Sequence, residues 1–292
     1  MKVSINGKIV DEKEAVISIF DHGFLYGMGL FETFRTYNGN PFLLEEHLRR
    51  LKESCSMIGL KWEYDKKRVL QQIKVLLMSN NLKEGYIRYT VTAGVGHVGL
   101  PVNSYDTYNE IIYVKSLSAP NDNLYENGKA IQLLNIPRNT PESGIRLKSL
   151  HYMNNILGKK EINETAQDKT AEGLFLTSEG FLAEGIVSNL FFVKDQVSYT
   201  PSIDTGILPG VTRANIISKL RKLGIEVIEG HFKWEDLISA DEIFITNSIQ
   251  EIVPITTLYD LNGNEIKVGS GQAGSKTKEW IKDYRMATGG YE

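Results

Sequence analysis

The residue in this chain of 292 that most invites chemistry is Lys148, in Leu147-Lys148-Ser149-Leu150-His151-Tyr152, directly ahead of a helix predicted over 149–166 with Ser149 as its cap. A lysine there is ordinarily a solvated cation. Held desolvated and deprotonated, its amine condenses with an aldehyde and can serve as nucleophile or base. Leu182-Ala183-Glu184-Gly185-Ile186-Val187-Ser188-Asn189 sets a carboxylate at a glycine break between two apolar strands. An acid buried there needs a partner, which can be a backbone amide, an arginine or a protonated ring nitrogen of a cofactor. Gly206-Ile207-Leu208-Pro209-Gly210-Val211-Thr212-Arg213 opens into a helix over 212–223, so unpaired N–H groups and the Thr212 hydroxyl meet at a positive helix end, an anion site. It lacks the lysine and spacing of a Walker A loop. Thr246-Asn247-Ser248 closes a strand with hydroxyls where a ligand can meet a strand end. On a helix over 44–58, Arg50 lies roughly 120° from the centre of the apolar stripe at about 100° per residue, so periodicity predicts it, and His47 one turn earlier, to be solvent-exposed.

The elements that must position these residues follow from pattern. Val3 and Ile5 precede Asn6-Gly7, and Ile9 and Val10 follow it, a hairpin signal. Apolar positions 44, 48, 51, 55 and 58 define the amphipathic helix, capped by Gly59, and a second helix runs from an Asp65 cap to 79 with Val69, Leu70, Ile73, Leu76 and Leu77 inward. A strand follows in which Ile87, Tyr89 and Val91 face one way and Tyr86, Arg88, Thr90 and Thr92 the other, then an apolar strand over 111–114. Residues 115–128 lose periodicity and gather Ser, Pro, Asn, Asp and Gly. Beyond them the pattern predicts strands near 129–136, 172–177, 181–184, 189–194, 197–200, 225–228, 242–247 and 252–259, with helices near 149–166, 212–223 and 271–284. The expectation is an α/β (α+β) protein with a small N-terminal α/β domain over 1–118, a linker over 119–125 and a larger, strand-rich domain over 126–292.

Composition narrows the function. Lys plus Arg number 33 against 36 Asp plus Glu, a formal charge of −3 with no long basic block, which argues against a nucleic-acid partner. Apolar residues at 41% and charged residues at 24% are those of a folded, water-soluble chain. The one cysteine, Cys55, cannot form an intrachain disulfide, no Cys/His cluster has metal-ligand spacing, and no stretch is apolar enough for a signal h-region or a membrane span. These features point to a cytoplasmic protein with no metal site and no membrane partner.

Taken in chain order, Phe31-Glu32-Thr33-Phe34-Arg35, His47-Leu48-Arg49-Arg50-Leu51, Lys148, Glu184-Gly185-Ile186-Val187-Ser188-Asn189, Gly210-Val211-Thr212-Arg213 and Thr246-Asn247-Ser248 with Glu251-Ile252-Val253-Pro254 resemble the class-IV aminotransferase family, the pyridoxal-phosphate enzymes of fold type IV. The resemblance spans nearly the whole chain. It implies pyridoxal 5'-phosphate as cofactor, carried by Lys148 as catalytic lysine, with Glu184 keeping the pyridine nitrogen protonated. It places Arg50 on the cofactor phosphate, against the exposed position periodicity predicts, with the N–H groups of Val211 and Thr212, the Thr212 hydroxyl and Ser248 as further phosphate ligands. Ser188 and Asn189 belong to the same cofactor-binding motif, and Tyr152 is implied beside the ring oxygen, at a spacing from Lys148 one residue off that of branched-chain members.

Within the family, D-amino-acid transaminases carry an arginine-and-histidine trap after a strand like that at 86–92. This chain reads Ala93-Gly94-Val95-Gly96-His97-Val98-Gly99, without the arginine. Branched-chain transaminases share the Tyr86-x-Arg88 pattern. Gly-Leu-Phe-Glu-Thr-Phe-Arg at 29–35, the Lys148 segment and the segment 244–254 are most similar to the aminodeoxychorismate lyases of folate synthesis, although Met28 stands where relatives carry aspartate. The implied function is conversion of 4-amino-4-deoxychorismate to 4-aminobenzoate and pyruvate. The substrate is a small molecule, with Arg88 for its carboxylate and Phe31 and Tyr86 nearby. A transaminase of branched-chain or D-amino-acid type is the alternative, and a non-catalytic binder of a phosphorylated ligand a further one. The resemblance also implies a homodimer.

Overall fold

The computed structural model describes residues 1–101, 104–117 and 122–289, in two compact units. The first comprises Met1–Ala119 with Leu147–His151 and Thr288–Glu292, the second Pro120–Arg146 with Tyr152–Ala287.

In the first unit, β1 (Lys2–Ile5) and β2 (Lys8–Asp11) form the expected hairpin, closed by Asn6 at φ 51° and Gly7 at φ 81°. Positive φ at both central residues is the turn whose twist matches antiparallel strands. After α1 (His22–Tyr26) comes β3 (Gly29–Tyr37), a strand the periodicity reading does not predict because buried residues occupy both its faces. β4 (Asn40–Pro41), α2 (Leu44–Met57), α3 (Lys66–Ser79), β5 (Tyr86–Thr92) and β6 (Asn109–Lys115) complete the unit. The six strands form one antiparallel sheet in the order β2-β1-β6-β5-β3-β4. Leu48 and Leu51 of α2, Val69, Ile73 and Leu76 of α3, and Leu30, Phe34, Ile87, Tyr89 and Val91 of the sheet make its core, so the alternation read for β5 holds.

The linker is expected over 119–125. Residues 119–121 lie outside the described residues, and from Asp122 the chain is helical in α4 (Asp122–Asn127). The second unit continues with β7 (Lys129–Leu133), α5 (Met153–Thr165), β8 (Glu172–Leu176), β9 (Leu182–Gly185), β10 (Asn189–Lys194) and β11 (Val197–Pro201). It then runs through α6 (Val211–Lys222), β12 (Val227–Gly230), α7 (Trp234–Ile238), β13 (Glu242–Asn247), β14 (Glu251–Tyr259), β15 (Glu265–Lys267) and α8 (Ser275–Thr288). Its nine strands form a mixed sheet in the order β12-β11-β10-β13-β14-β7-β8-β9, with β15 on β14. The core includes Leu174, Leu182, Leu190, Phe192, Ile243 and Ile245.

The segment 147–151 departs from expectation. It groups with the first unit, and the helix starts only at Met153, with Tyr152 as cap residue. Phe31 N–H donates to the Lys148 carbonyl at 2.9 Å and Leu150 N–H to the Gly29 carbonyl at 3.0 Å. These ladder bonds hold Lys148 in extended backbone along β3, which is why Ser149 bridges Leu30 and caps no helix. Among the described residues no helix is long and apolar enough to cross a membrane.

Asp65 caps α3 by accepting from the N–H groups of Lys67 at 2.8 Å and Arg68 at 3.4 Å. Replacing Asp65 by Ala is expected to cost about 1 kcal/mol, seen as a lower urea midpoint with an unchanged denaturant slope.

Candidate active site

The first unit holds a carboxylate in its core. On β3 the inward row is Leu30, Glu32 and Phe34, all 1% exposed or less. Glu32 is therefore stripped of water, and two α2 side chains meet it. Arg50 donates from Nε to Glu32 Oε1 at 2.7 Å and from Nη2 to Oε2 at 2.6 Å, a two-point fork. His47 lies 2.7 Å from Oε2 through Nδ1, and since a carboxylate only accepts, Nδ1 carries the proton.

Helix periodicity predicts His47 exposed, but it is 1% exposed. Arg50, predicted exposed on the same ground, keeps only 15% of its side-chain surface accessible. Counting apolar positions on α2 misses the reason, which is that the face flanking the apolar stripe packs on a strand carrying a buried acid. Burial pushes the Glu32 carboxyl up, but the Arg50 charge and the His47 hydrogen bond outweigh it and hold it at about 2. Burial pushes His47 below its ordinary value, opposed by Glu32, with the charges of Arg50 and Lys148 adding to the decrease.

Phe31 lies on the opposite face of β3 from Glu32. The Arg88 guanidinium stands 3.6 Å from the centroid of its ring and the Lys148 amine 4.7 Å. Two cations on one ring profit from its quadrupole and repel each other, so this platform suits an anion. Phe31, Arg88 and Lys148 are thus brought together. Tyr86, two residues along β5, has its ring under the Lys115 amine at 4.4 Å. Met28 packs against the core of this unit.

In the second unit Glu184, at the end of β9, is 4% exposed. Arg138 Nε donates to its Oε1 at 2.9 Å and the Leu208 N–H to its Oε2 at 2.9 Å, so both protein partners weighed from the sequence are present. Arg146 Nε lies 3.6 Å from Oε1. Burial, with Arg138 beside it, pushes Arg146 down to about 10 against the opposing pull of Glu184. Gly185 is required where the chain turns after β9, since a Cβ there would fall 2.1 Å from Ser188 Oγ. Ser188 and Asn189, implied as cofactor contacts, direct their side chains to protein groups. The Ser188 hydroxyl donates to Glu172 at 2.9 Å, and the Asn189 amide to the Leu208 carbonyl at 2.9 Å and Glu184 Oε2 at 3.4 Å. Being tied to carboxylates and backbone, they brace Glu184 and the turn it sits on.

The helix α6 opens at Val211 behind Gly210, with no side-chain cap on its first N–H groups. The Thr212 and Ser248 hydroxyls sit 3.1 Å apart. Ser248 is presented by the turn after β13, where Asn247 Oδ1 accepts from Ile249 N–H at 2.9 Å and Gln250 N–H at 2.7 Å. Gly210 lets the chain pass close to Asn189, since a Cβ there would displace the Asn189 side chain. Tyr152, half-buried, heads α5, its carbonyl accepting from Ile156 N–H.

Comparison with known proteins gives the family. The amino-transferase class IV profile matches residues 29–258. The chain belongs to the class-IV aminotransferase family. It is 43% identical over 262 residues to the aminodeoxychorismate lyase of Bacillus subtilis, covering 89% of this chain and 87% of that one. It is 30% identical over 278 residues to the D-alanine aminotransferase of Bacillus licheniformis, covering 95% and 94%. Its fold matches that of the branched-chain aminotransferase from the thermophilic archaeon Thermoproteus uzoniensis, solved with norvaline, with a TM-score of 0.85 at 27% identity over 100% of this chain and 96% of that one. The fold is that of the fold-type IV pyridoxal-phosphate enzymes.

Pattern reading assigns no role to Glu32, Arg138 or Arg146. Glu32 is legible as the charged residue set between the apolar Leu30 and Phe34 on one face of β3. The two arginines stand in a loop rich in Pro, Asn, Ser and Gly, where nothing distinguishes a buried guanidinium from a solvated one.

The drop of Glu32 from 4.5 to about 2 corresponds to roughly 3 kcal/mol of folded-state stability. Because the folded value is the lower one, that contribution is complete above pH 4.5 and lost as pH falls toward 2. In this family member Glu32→Gln is expected to flatten the decline of the urea midpoint across that acid window. Equal slopes in the two proteins would dismiss the assignment.

Proposed function

We propose that the chain is a pyridoxal-phosphate-dependent lyase that converts 4-amino-4-deoxychorismate to 4-aminobenzoate and pyruvate. The observation that carries this choice within the family is the 43% identity to a lyase across 89% of the chain. The segment 93–99, which lacks the arginine of D-amino-acid transaminases, supports it.

The residues present fit the cofactor. A phosphorylated pyridine aldehyde needs an amine, an anion cup and an acceptor for its ring N–H. Lys148 offers the amine. The uncapped start of α6 with the paired Thr212 and Ser248 hydroxyls offers the cup. Thr246 Oγ1, on the strand leading to Ser248, is a buried hydroxyl without a hydrogen-bond partner. Glu184 offers the acceptor, its charge compensated by Arg138 and Arg146.

When bound, pyridoxal 5'-phosphate supplies an aldehyde for the substrate amine and a ring that accepts an electron pair. Lys148 would hold the cofactor, and its amine, when free, would take the proton from the substrate ring carbon bearing nitrogen. That deprotonation, with departure of the enolpyruvyl group, which takes up a proton to become pyruvate, would leave an aromatic ring, so the reaction needs no amino acceptor. Glu184 holds a proton at the pyridine nitrogen. Arg50 and the N–H groups of Val211 and Thr212 bind the phosphate, Tyr152 stands by the ring oxygen, and Arg88 on the Phe31 platform receives a substrate carboxylate. A branched-chain transaminase is the second reading, favoured by Tyr86 and Arg88 on one strand.

We also propose that the active form is a homodimer. Phe24 at 72%, Val98 at 72% and Leu100 at 85% exposure are apolar side chains of the first unit that water disfavours. Light scattering on the purified protein should give twice the chain mass, and a monomer would dismiss the proposal.

The deciding assay gives the cofactor-loaded protein 4-amino-4-deoxychorismate with no keto acid present. The expected result is 4-aminobenzoate formation that Lys148→Ala abolishes. Failure to form product, with amino transfer to branched-chain keto acids, would establish the transaminase instead.

A further inference from the structure

We propose that Glu32, a residue that meets no ligand in the reading above, is the positioning residue that aims Arg50 at the cofactor phosphate, with His47 as its brace. The inference rests on the cofactor reading above and goes beyond it by assigning a role to a buried carboxylate that the chemistry leaves unused.

The argument is geometric. A guanidinium offers two edges for bidentate hydrogen bonding. Glu32 takes the edge formed by Nε and Nη2, at 2.7 and 2.6 Å, and so fixes the direction in which the edge formed by Nη1 and Nη2 points. Free arginines sample many rotamers, and an anion that binds one must first select the productive direction. Here the protein has made that selection.

His47 then fixes Glu32. Its Nδ1–H holds the same Oε2 that accepts from Arg50 Nη2, and its ring lies 5.1 Å from that of Phe34 in the packed core. Glu32 and His47 are each 1% exposed, so neither can serve a ligand by direct solvent-side contact. A carboxylate placed in an apolar row has a large desolvation cost. A sheet built only for stability would carry an apolar residue between Leu30 and Phe34.

The nearby charges are Arg50 and Lys148, both felt by His47. With Glu32, Arg50 is neutralised on one edge and held on axis.

The test compares pyridoxal 5'-phosphate with pyridoxal, which differ only in the phosphate, binding to the apoprotein by fluorescence titration. Wild type is expected to bind the phosphorylated compound more tightly. In Glu32→Gln that preference should shrink by about ten- to a hundredfold, the worth of a charge-assisted hydrogen bond, while pyridoxal affinity stays within about twofold. An unchanged preference in folded Glu32→Gln would overturn the positioning role and leave the cofactor reading standing. A wild type that binds both compounds equally, or neither, would overturn the cofactor reading and this inference with it. Should the glutamine variant not fold, Glu32→Asp carries the same comparison, since it keeps the charge and shortens the reach by one methylene. A full preference in Glu32→Asp would overturn the role, and a reduced one would support it.

Discussion

A carboxylate taken out of water must be answered by cations and N–H groups, and much of the chemistry in this protein is arranged by that requirement. Each unit has such a centre. In the first, Glu32 gathers Arg50 and His47 from the helix packed on its strand. In the second, Glu184 gathers Arg138, Arg146 and the Leu208 N–H from segments far apart in the chain. Neither acid could be buried without such partners. The same logic recurs at Glu110, which accepts from Trp62, Arg68 and Tyr89 beneath the first sheet.

On the proposed reading, the arrangement separates residues that meet a ligand from residues that aim them. Lys148 is held by ladder bonds along β3, so the backbone sets where its amine emerges. Thr212 and Ser248 are placed by an abrupt helix start and a side-chain-to-backbone turn, each resting on glycine or asparagine chemistry readable in one dimension. Ser188 and Asn189 stand one step back, bracing Glu172, Glu184 and the Leu208 turn. Shared cofactor equipment of this kind serves lyases and transaminases alike, because both begin with removal of the proton from the carbon bearing nitrogen. What separates them is the substrate side, which the proposed reading puts where Arg88 and Lys148 share the Phe31 ring.

Local chemistry carries most of the fold into the sequence. The Asn6-Gly7 turn, the Asp65 cap, the alternation of β5 and the extents of β10 and β13 are all decided by residues within a few positions of one another, and the structure has them where the pattern puts them. Glu184, Gly210, Thr212 and Ser248 stand out in the sequence for the same reason, each marked by a glycine or a strand end beside it. The sequence alone does not settle which side chains a buried charge recruits. Arg50 and His47 read as solvent-facing because the acid that draws them in lies on another element, and Arg138 and Arg146 read as ordinary loop cations. The pattern sets Lys148 directly before a helix, but pairing with β3 makes its segment extended. Periodicity reports only the burial of an element's own apolar face, whereas the partner of a desolvated charge is chosen by proximity across the fold, and that choice exists only once the chain has closed on itself.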